Sequence, residues 1–176
     1  KGKVQPGMKI LIIGGTESIG TCAIQLAKYY GAEVTGVDSA AKFAVMQSSG
    51  ADHVIDYTVE DYTKSGKTYD LIIDVVGKHS VTKRLRLLKD NGTYFLAFAQ
   101  PKHIFLGLAI SLTSKKRVIV QSAEQKKEDL IFLKELIEKQ KLIPMIDKVY
   151  PLSQVAEAHR YVEAGEKKGN LCVRIN

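Results

Sequence analysis

Short apolar runs alternate with segments in which apolar residues recur every three or four positions, from residue 9 almost to the end of the chain. Continuous apolar runs are typical of strands buried on both faces, and the three-to-four spacing is typical of amphipathic helices. The runs predict strands at 9–13, 33–37, 53–56, 69–76, 93–98, 117–121, 144–150 and 171–175. The spaced segments predict helices at 19–30, 40–49, 80–88, 126–141 and 152–164.

This alternation of strand and helix predicts βαβ units, which are wound right-handed and place their strands in one parallel sheet. Six strands in this rhythm predict an α/β fold with a doubly wound, six-stranded parallel sheet of the nucleotide-binding kind. The sheet is complete by residue 142, so the elements of 143–176 are expected to pack against something else. We therefore divide the chain into a sheet domain, 1–142, and a C-terminal segment, 143–176.

Several local features are predicted within these elements. Asn91–Gly92 forms a turn before the fifth strand, and Ser153 caps the last helix. In the helix at 126–141 the inward residues are Leu130, Leu133, Leu136 and Ile137. The first helix has an apolar face formed by Ile19, Cys22, Ala23, Leu26, Ala27 and Tyr30.

The stretch LIIGGTESIGT, residues 11–21, ends the first strand in a glycine-containing turn and opens a helix. Glycines in such a turn let backbone N–H groups approach a diphosphate at the helix N-terminus. Gly15 and Gly20 fit the first and last glycines of the dinucleotide pattern G-x-G-x-x-G, but Glu17 replaces the middle one. The turn lacks the lysine of a P-loop, and no tyrosine has the lysine four positions on that short-chain dehydrogenases require. A turn that serves packing alone remains an alternative.

An acid at the end of the second strand is the next candidate binding group. Asp38 follows Gly20 by 18 positions, close to the spacing of roughly 20 expected for an acid that binds the adenosine ribose. Lys42 lies four residues further on. It either neutralises a 2′-phosphate or is an ordinary lysine on a helix surface.

Charge and composition narrow the other possibilities. The net charge is +7, but no aromatic residues interleave with the lysine clusters, so a solvated surface is favoured over nucleic-acid binding. No apolar stretch reaches the roughly 18 residues of a membrane span, and the start of the chain shows no signal-peptide pattern. Cys22, predicted to be a buried thiol, and the distant Cys172 favour a reducing, cytoplasmic location. The histidines are solitary, so no metal site is expected.

Several spaced motifs together resemble the medium-chain dehydrogenase/reductases, in the zinc-independent, quinone-oxidoreductase-like branch. The motifs are GKVQPGMKILIIGG, SIGTCAIQLAKYYGAEVTGV, SSGADHVIDY, YDLIIDVVG, NGTYFLAF and VYPLSQVAEAHRYVEAGEKKGNLCV. The resemblance implies a Rossmann cofactor domain whose last elements return to a GroES-like catalytic lobe. It also implies that this chain is the cofactor-binding piece of a longer enzyme and lacks that lobe.

The resemblance further implies a set of residues that contact NADP or NAD. In NADPH-using relatives a lysine and a tyrosine fifteen residues later bind the 2′-phosphate and adenine, and Lys42 and Tyr57 have this separation. Asp38 opposes this preference, because an acid repels the extra phosphate. The full expected set is Gly15, Thr16, Ser18, Ile19, Gly20, Asp38, Ser39, Lys42, Tyr57, Val75, Val76, Gly77, Phe98 and Ala99. No catalytic residue is expected in this chain.

The function implied is that of an NAD(P)H-binding domain in an oxidoreductase that transfers hydride between nicotinamide and a small carbonyl, enone or quinone. The isolated chain is expected to bind the dinucleotide without turning over substrate. Relatives often pair through the sixth strand, 117–121, and the apolar segment 104–112 lies at that interface or over the substrate cleft. The alternative is a non-catalytic module for redox sensing or scaffolding, in which Glu17 marks a lost site.

Overall fold

Eight strands and six α-helices make up the fold in the computed structural model, which describes residues 3–77, 80–97, 101–120 and 126–175. The strands are β1 (Lys9–Ile13), β2 (Glu33–Asp38), β3 (His53–Asp56), β4 (Tyr69–Asp74), β5 (Leu88–Leu96), β6 (Arg117–Val120), β7 (Ile146–Pro151) and β8 (Asn170–Arg174). The helices are α1 (Ser18–Tyr29), α2 (Phe43–Ser48), α3 (Val81–Arg84), α4 (Pro101–Thr113), α5 (Lys127–Glu138) and α6 (Val155–Glu163). None of these helices is long and apolar enough to cross a bilayer.

The first six strands form one parallel sheet in the order β3-β2-β1-β4-β5-β6. The chain enters at β1, moves outward to β3, and then returns to the other side of β1 at β4. This reversal places a crevice at the carboxyl ends of β1 and β4, where doubly wound sheets bind their ligands. The predicted α/β fold with a doubly wound six-stranded sheet is confirmed.

Both faces of the sheet are covered, which explains why β1 reads as an unbroken apolar run. Ile10 and Ile12 pack on one face in a cluster that includes Ile24 and Met46. Leu11 and Ile13, together with residues of α3 and β5, pack on the other face. Burial of each such side chain contributes about 1.5–3 kcal/mol, so the turn that follows Ile13 stands on a rigid support.

The segment between β4 and β5 differs from the prediction. Helix α3 ends at Arg84, and a 3-10 turn follows at Leu85–Leu87, so the predicted helix at 80–88 is shorter and irregular. The turn predicted at Asn91–Gly92 lies inside β5, where Asn91 has a φ of 61°. A Cβ on Gly92 would lie 2.8 Å from the side chain of Leu88, so glycine is needed for this tight path.

Two helix predictions need correction, and one helix was not predicted. Helix α1 buries Gly20, Thr21, Ile24 and Ala27, so its buried face is rotated from the predicted one, and Cys22 is only half-buried. The rotation arises because Gly20 packs directly against the Gly14 carbonyl. In α5 only Leu136 is buried, whereas Leu130 is 69% exposed. Helix α4, not predicted as a helix, covers the apolar segment 104–112.

The C-terminal strands β7 and β8 form a separate parallel pair, joined by α6. Helix α6 begins at Val155 with Gln154 in the N-cap position, so the predicted cap at Ser153 is wrong. Ser153 lies instead in a 3-10 turn, Leu152–Gln154, which precedes the first α-helical residue. The separate pair accords with the predicted distinctness of 143–176, and the domain division itself stays a prediction.

Candidate functional site

The turn between β1 and α1 is held close to the sheet by backbone contacts. The N–H groups of Gly14 and Gly15 donate to the carbonyl of Val37 at 3.0 and 3.3 Å, and the N–H of Glu17 donates to the carbonyl of Gly14 at 3.1 Å. Gly14 has a φ of +80°, which glycine adopts without strain. A Cβ on Gly20 would lie 2.1 Å from the Gly14 carbonyl oxygen. The turn therefore requires both Gly14 and Gly20.

Gly14 was not among the predicted binding residues, although it carries the positive φ and lines the adjoining cavity. A Cβ at this position would lie 2.6 Å from the side chain of Val76. Gly15 instead packs on Met46, since a Cβ there would lie 2.6 Å from the Met46 sulfur. The paired glycines in LIIGG were the available sequence signal for Gly14, but the G-x-G-x-x-G pattern starts at the second glycine of the pair, Gly15.

Asp38, at the end of β2, is buried and turned toward this turn. Its Oδ2 accepts hydrogen bonds from the Thr16 hydroxyl and from the Thr16 N–H, the latter at 3.3 Å. Its Oδ1 accepts from the Ser39 N–H at 2.9 Å and lies 3.9 Å from the Lys42 ammonium. The predicted acid thus joins Thr16, Ser39 and Lys42 in one cluster.

A cavity of about 600 Å³ opens at the carboxyl ends of these strands. Four of the predicted residues line it, and they are Asp38, Lys42, Tyr57 and Val76. Gly14 and Glu17 from the turn line it as well. The structure therefore brings the predicted lysine–tyrosine pair and the acid into the lining of one cavity next to the glycine turn.

The other predicted residues occupy different places. Ser18, Ile19 and Gly20 form the first turn of α1, where backbone N–H groups have no partner within the helix. Val75 is buried, and Gly77 has a φ of +65°. Phe98 and Ala99 lie outside the described residues.

Glu17 does not enter the turn as an unpaired charge. Its Oε2 lies 3.1 Å from the Lys167 ammonium, which comes from the C-terminal segment just before β8. The same ammonium donates to the Ser18 hydroxyl at 2.9 Å and to the Gly169 carbonyl at 2.8 Å. Lys167 could not be predicted as a site residue, because nothing in the local pattern links it to a turn 150 positions earlier.

A second missed group is a buried network beneath the cavity. The carboxylate of Asp74, at the end of β4, pairs with the Arg84 guanidinium and accepts from the Tyr94 hydroxyl at 2.6 Å. Asp74 is 0% and Arg84 2% exposed. Asp74 Oδ1 also accepts from the N–H groups of Val76 and Gly77, both at 3.0 Å. The network therefore fixes the loop that borders the cavity.

Two of these groups have altered acidity. Burial, followed by the neighbouring Asp74 carboxylate, raises the pKa of Tyr94, so its hydroxyl stays a proton donor. Burial tends to lower the pKa of Arg84, but the charge of Asp74 outweighs it and the net pKa is raised. Both groups therefore keep the charge state that the network requires.

Within the described part of the chain, no three His, Cys, Asp or Glu side chains come together in a way that would hold a metal ion. His53 lies on the far edge of the sheet, where its Nε2 is 3.3 Å from a carboxylate oxygen of Glu33. The expected absence of a metal site stays a prediction.

Comparison with known proteins relates this geometry to a family. A family model described as zinc-binding dehydrogenase matches residues 49–173. The mitochondrial NAD(P)H oxidoreductase of Mus musculus is 31% identical over 191 residues, covering 96% of this chain and 48% of that protein. The 2-methylene-furan-3-one reductase of Solanum lycopersicum is 30% identical over 171 residues, covering 95% of this chain and 40% of that protein.

Solved structures agree in fold. The quinone oxidoreductase from Coxiella burnetii superposes with a TM-score of 0.87 at 26% identity, covering 99% of this chain and 55% of that chain. The chain thus spans about half the length of the relatives it matches.

Proposed function

The chain belongs to the medium-chain dehydrogenase/reductases, in the quinone-oxidoreductase-like branch, and we propose that it is the dinucleotide-binding part of an oxidoreductase. The observation that supports this proposal most directly is the cavity, which is lined by the glycine turn, by Asp38 and by the Lys42–Tyr57 pair. A cavity of about 600 Å³ lies within the usual range for cofactor sites, roughly 300–1,000 Å³. The two glycines whose Cβ atoms would clash let the turn pack directly against α1 and against Val76, which keeps the N-terminus of α1 close to the sheet.

In this proposal the diphosphate lies at the N-terminus of α1. The first backbone N–H groups of Ser18, Ile19 and Gly20 supply donors and the positive end of the helix dipole. The adenosine half of the cofactor lies over Asp38 and Tyr57, and the cofactor passes the loop at Val75–Gly77. When bound, the nicotinamide supplies hydride transfer, and the residues of this chain bind and orient it.

We propose NADP as the preferred cofactor, with NAD as the alternative. The Lys42 ammonium lies at the cavity wall with Tyr57, where it provides the positive charge that a 2′-phosphate needs. Both oxygens of Asp38 already accept hydrogen bonds, from Thr16 and Ser39, so fewer acceptor sites are left for ribose hydroxyls. The mouse relative carries NAD(P)H in its name, which covers both cofactors.

The substrate of the intact enzyme is proposed to be a small carbonyl, enone or quinone. This class agrees with the names of the relatives, which include a furanone reductase and a quinone oxidoreductase. We propose zinc-independent transfer, as the resemblance to the quinone-oxidoreductase-like branch implies. Phe98 and Ala99 are proposed to lie near the nicotinamide.

Titration calorimetry of the purified chain with NADPH and NADH tests the cofactor proposal. Lys42→Ala removes one charge-assisted contact, so NADPH binding should weaken about ten-fold or more while NADH binding changes little. Lys134→Ala, an equal loss of charge on α5, is the matched control and should change neither affinity. Equal weakening for both cofactors contradicts the role of Lys42. No binding of either cofactor supports a non-catalytic module instead.

The isolated chain should bind the cofactor without reducing quinones. The sheet domain, 1–142, and the C-terminal segment, 143–176, are proposed to belong to different lobes of the whole enzyme, because β7 and β8 form their own sheet. Rapid NADPH oxidation by this chain with a quinone would contradict the assignment.

We also propose a homodimer that pairs β6 across a two-fold axis. Strand β6 pairs only with β5 among the described strands, and the adjacent α4 exposes Ile104, Phe105, Leu108 and Leu112. Sedimentation of the wild type and of an Ile119→Pro variant tests this pairing, which the proline should disrupt.

A cytoplasmic location is proposed from the two free cysteines. Cell fractionation tests it, because the mouse relative is named mitochondrial. Neither nucleic acid nor a membrane is proposed as a partner, and affinity for oligonucleotides or lipid vesicles that falls steeply with salt would contradict this.

A further inference from the structure

Glu17 and Lys167 form an ion pair at the most sensitive point of the proposed site. Glu17 occupies the N-cap position of α1 and lines the cavity, but its side chain makes no capping hydrogen bond. Its carboxylate lies 3.1 Å from the Lys167 ammonium. The Lys167 side chain is 14% exposed, whereas that of Glu17 is 40% exposed. A lysine this well buried is not an ordinary surface lysine.

The ammonium of Lys167 is held in place by three partners. Besides Glu17, it donates to the Ser18 hydroxyl at 2.9 Å and to the Gly169 carbonyl at 2.8 Å. These contacts match the three N–H donors of an ammonium group. The position of its charge is therefore fixed relative to the first residue of α1.

The segment that carries Lys167 is itself fastened to the glycine turn. The N–H of Gly169 donates to the Thr16 carbonyl at 2.8 Å, and the Ser18 hydroxyl donates to the Gly169 carbonyl at 3.0 Å. A Cβ on Gly169 would lie 2.5 Å from the Met145 carbonyl oxygen, so only glycine allows this close approach, and the next N–H, of Asn170, donates to the same carbonyl at 2.7 Å. The C-terminal segment and the turn therefore form one structural unit.

An unpaired carboxylate at this place would oppose an anionic ligand. A dinucleotide carries two negative charges on its diphosphate, and like charges within a few ångströms repel strongly in a partly buried site. The middle glycine of the G-x-G-x-x-G pattern normally avoids any side chain here. The turn of this chain needs another device if it is to bind a diphosphate beside Glu17.

We propose that Lys167 is a positioning residue of the dinucleotide site, which neutralises Glu17 and holds its carboxylate away from the diphosphate. The C-terminal segment thereby restores binding to a turn that lacks its middle glycine. This inference rests on the proposed binding of a dinucleotide at α1. Lys167 acts by balancing the charge of Glu17 within the protein, and it does not need to contact the ligand directly.

A double-mutant cycle on the full chain tests the proposal, with NADPH as the probe in titration calorimetry. Lys167→Met keeps the alkyl chain but removes the charge, so binding should weaken about ten-fold, equivalent to about 1.4 kcal/mol. Glu17→Gln should bind at least as tightly as wild type. The double variant should bind within about three-fold of Glu17→Gln, because without the acid the lysine is no longer needed. The loss in Lys167→Met should also shrink at about 1 M salt, where charges are screened.

Several results would overturn the inference. If Lys167→Met binds like wild type, the ion pair has no influence on the site. If the double variant is as weak as Lys167→Met, then Lys167 acts through packing or direct contact and not through Glu17. Lys168→Met is the matched control and should leave binding unchanged. If wild type binds no dinucleotide, the proposed function fails first, and its failure is visible before any variant is compared.

Discussion

Replacing Arg84 by Met should strongly destabilise the protein. The change keeps an unbranched apolar side chain in place of the alkyl part of arginine and leaves the Asp74 carboxylate without its cation. Asp74 and Arg84 are 0% and 2% exposed, so water cannot take over the lost contact. Breaking one side of a buried ion pair typically reduces stability by about 3–5 kcal/mol. Domains of this kind have a total stability of about 5–15 kcal/mol, so the loss is a large share.

The remaining donors to Asp74 set the magnitude within this range. The Tyr94 hydroxyl and the N–H groups of Val76 and Gly77 still solvate the carboxylate in Arg84→Met. We therefore expect a loss near the lower end, about 3 kcal/mol. A variant that removes both charges, Asp74→Leu with Arg84→Met, should lose less than the sum of the single losses.

Urea unfolding followed by circular dichroism measures these differences. Lys89→Met is the matched control, because it breaks the Asp70–Lys89 pair, whose side chains are 26% and 40% exposed. That pair should contribute at most about 1 kcal/mol. A loss below about 1 kcal/mol in Arg84→Met would show that the Asp74–Arg84 pair is solvated, and the reasoning from burial would then be wrong.

Three further predictions concern single positions. Gly20→Ala should lower the free energy of unfolding by about 1–3 kcal/mol and weaken dinucleotide binding, because its Cβ would clash with the Gly14 carbonyl. Gly107→Ala is the control: its Cβ would meet only ordinary contacts, so stability and binding should stay nearly unchanged. Similar losses in the two variants would contradict the close approach at Gly20. Burial raises the pKa of Asp70, but the Lys9 N–H and Lys89 outweigh it, so the net pKa is lowered. The wild type should therefore be more stable than Asp70→Asn by a constant free energy of unfolding above about pH 5, and this difference should shrink below about pH 4, where the carboxylate is protonated. Urea titrations measure the difference, and a difference that grows in acid would contradict the lowered pKa. Burial raises the pKa of the Cys22 thiol, so in Cys172→Ser it should react with a disulfide reagent more slowly than free cysteine at about pH 8; an equal rate contradicts this.

The sheet could be predicted from the sequence because its central strands are apolar on both faces. Strands β1 and β4 are buried on both faces, so nearly every position is apolar and the strand bounds are visible. The parallel arrangement of the strands followed from their alternation with helices and from the right-handed crossover rule. The apolar runs and the alternation of strands with helices can both be read from neighbouring residues, without knowing which distant residues they contact.

Other features depend on contacts between distant positions, which the sequence does not display. Arg84 reads as a surface residue of a helix until Asp74 and Tyr94 are brought beside it. The buried face of α1 is set by the approach of Gly20 to Gly14, and hydrophobic spacing cannot reveal a backbone contact. Helix α4 was missed because its apolar residues face outward as well as inward, which removes the periodic signal.

The fastening of Gly169 to Thr16 bears on the order in which the molecule acquires its parts. The two residues are joined by a hydrogen bond although they are 153 positions apart, so this contact closes a very long loop, and we expect it to form after the local contacts of the sheet. During synthesis β1 to β6 can pair before β8 has left the ribosome. If the proposed site is correct, a chain that stops before Lys167 should keep the turn but leave Glu17 without its cation, and we expect it to bind a dinucleotide less tightly.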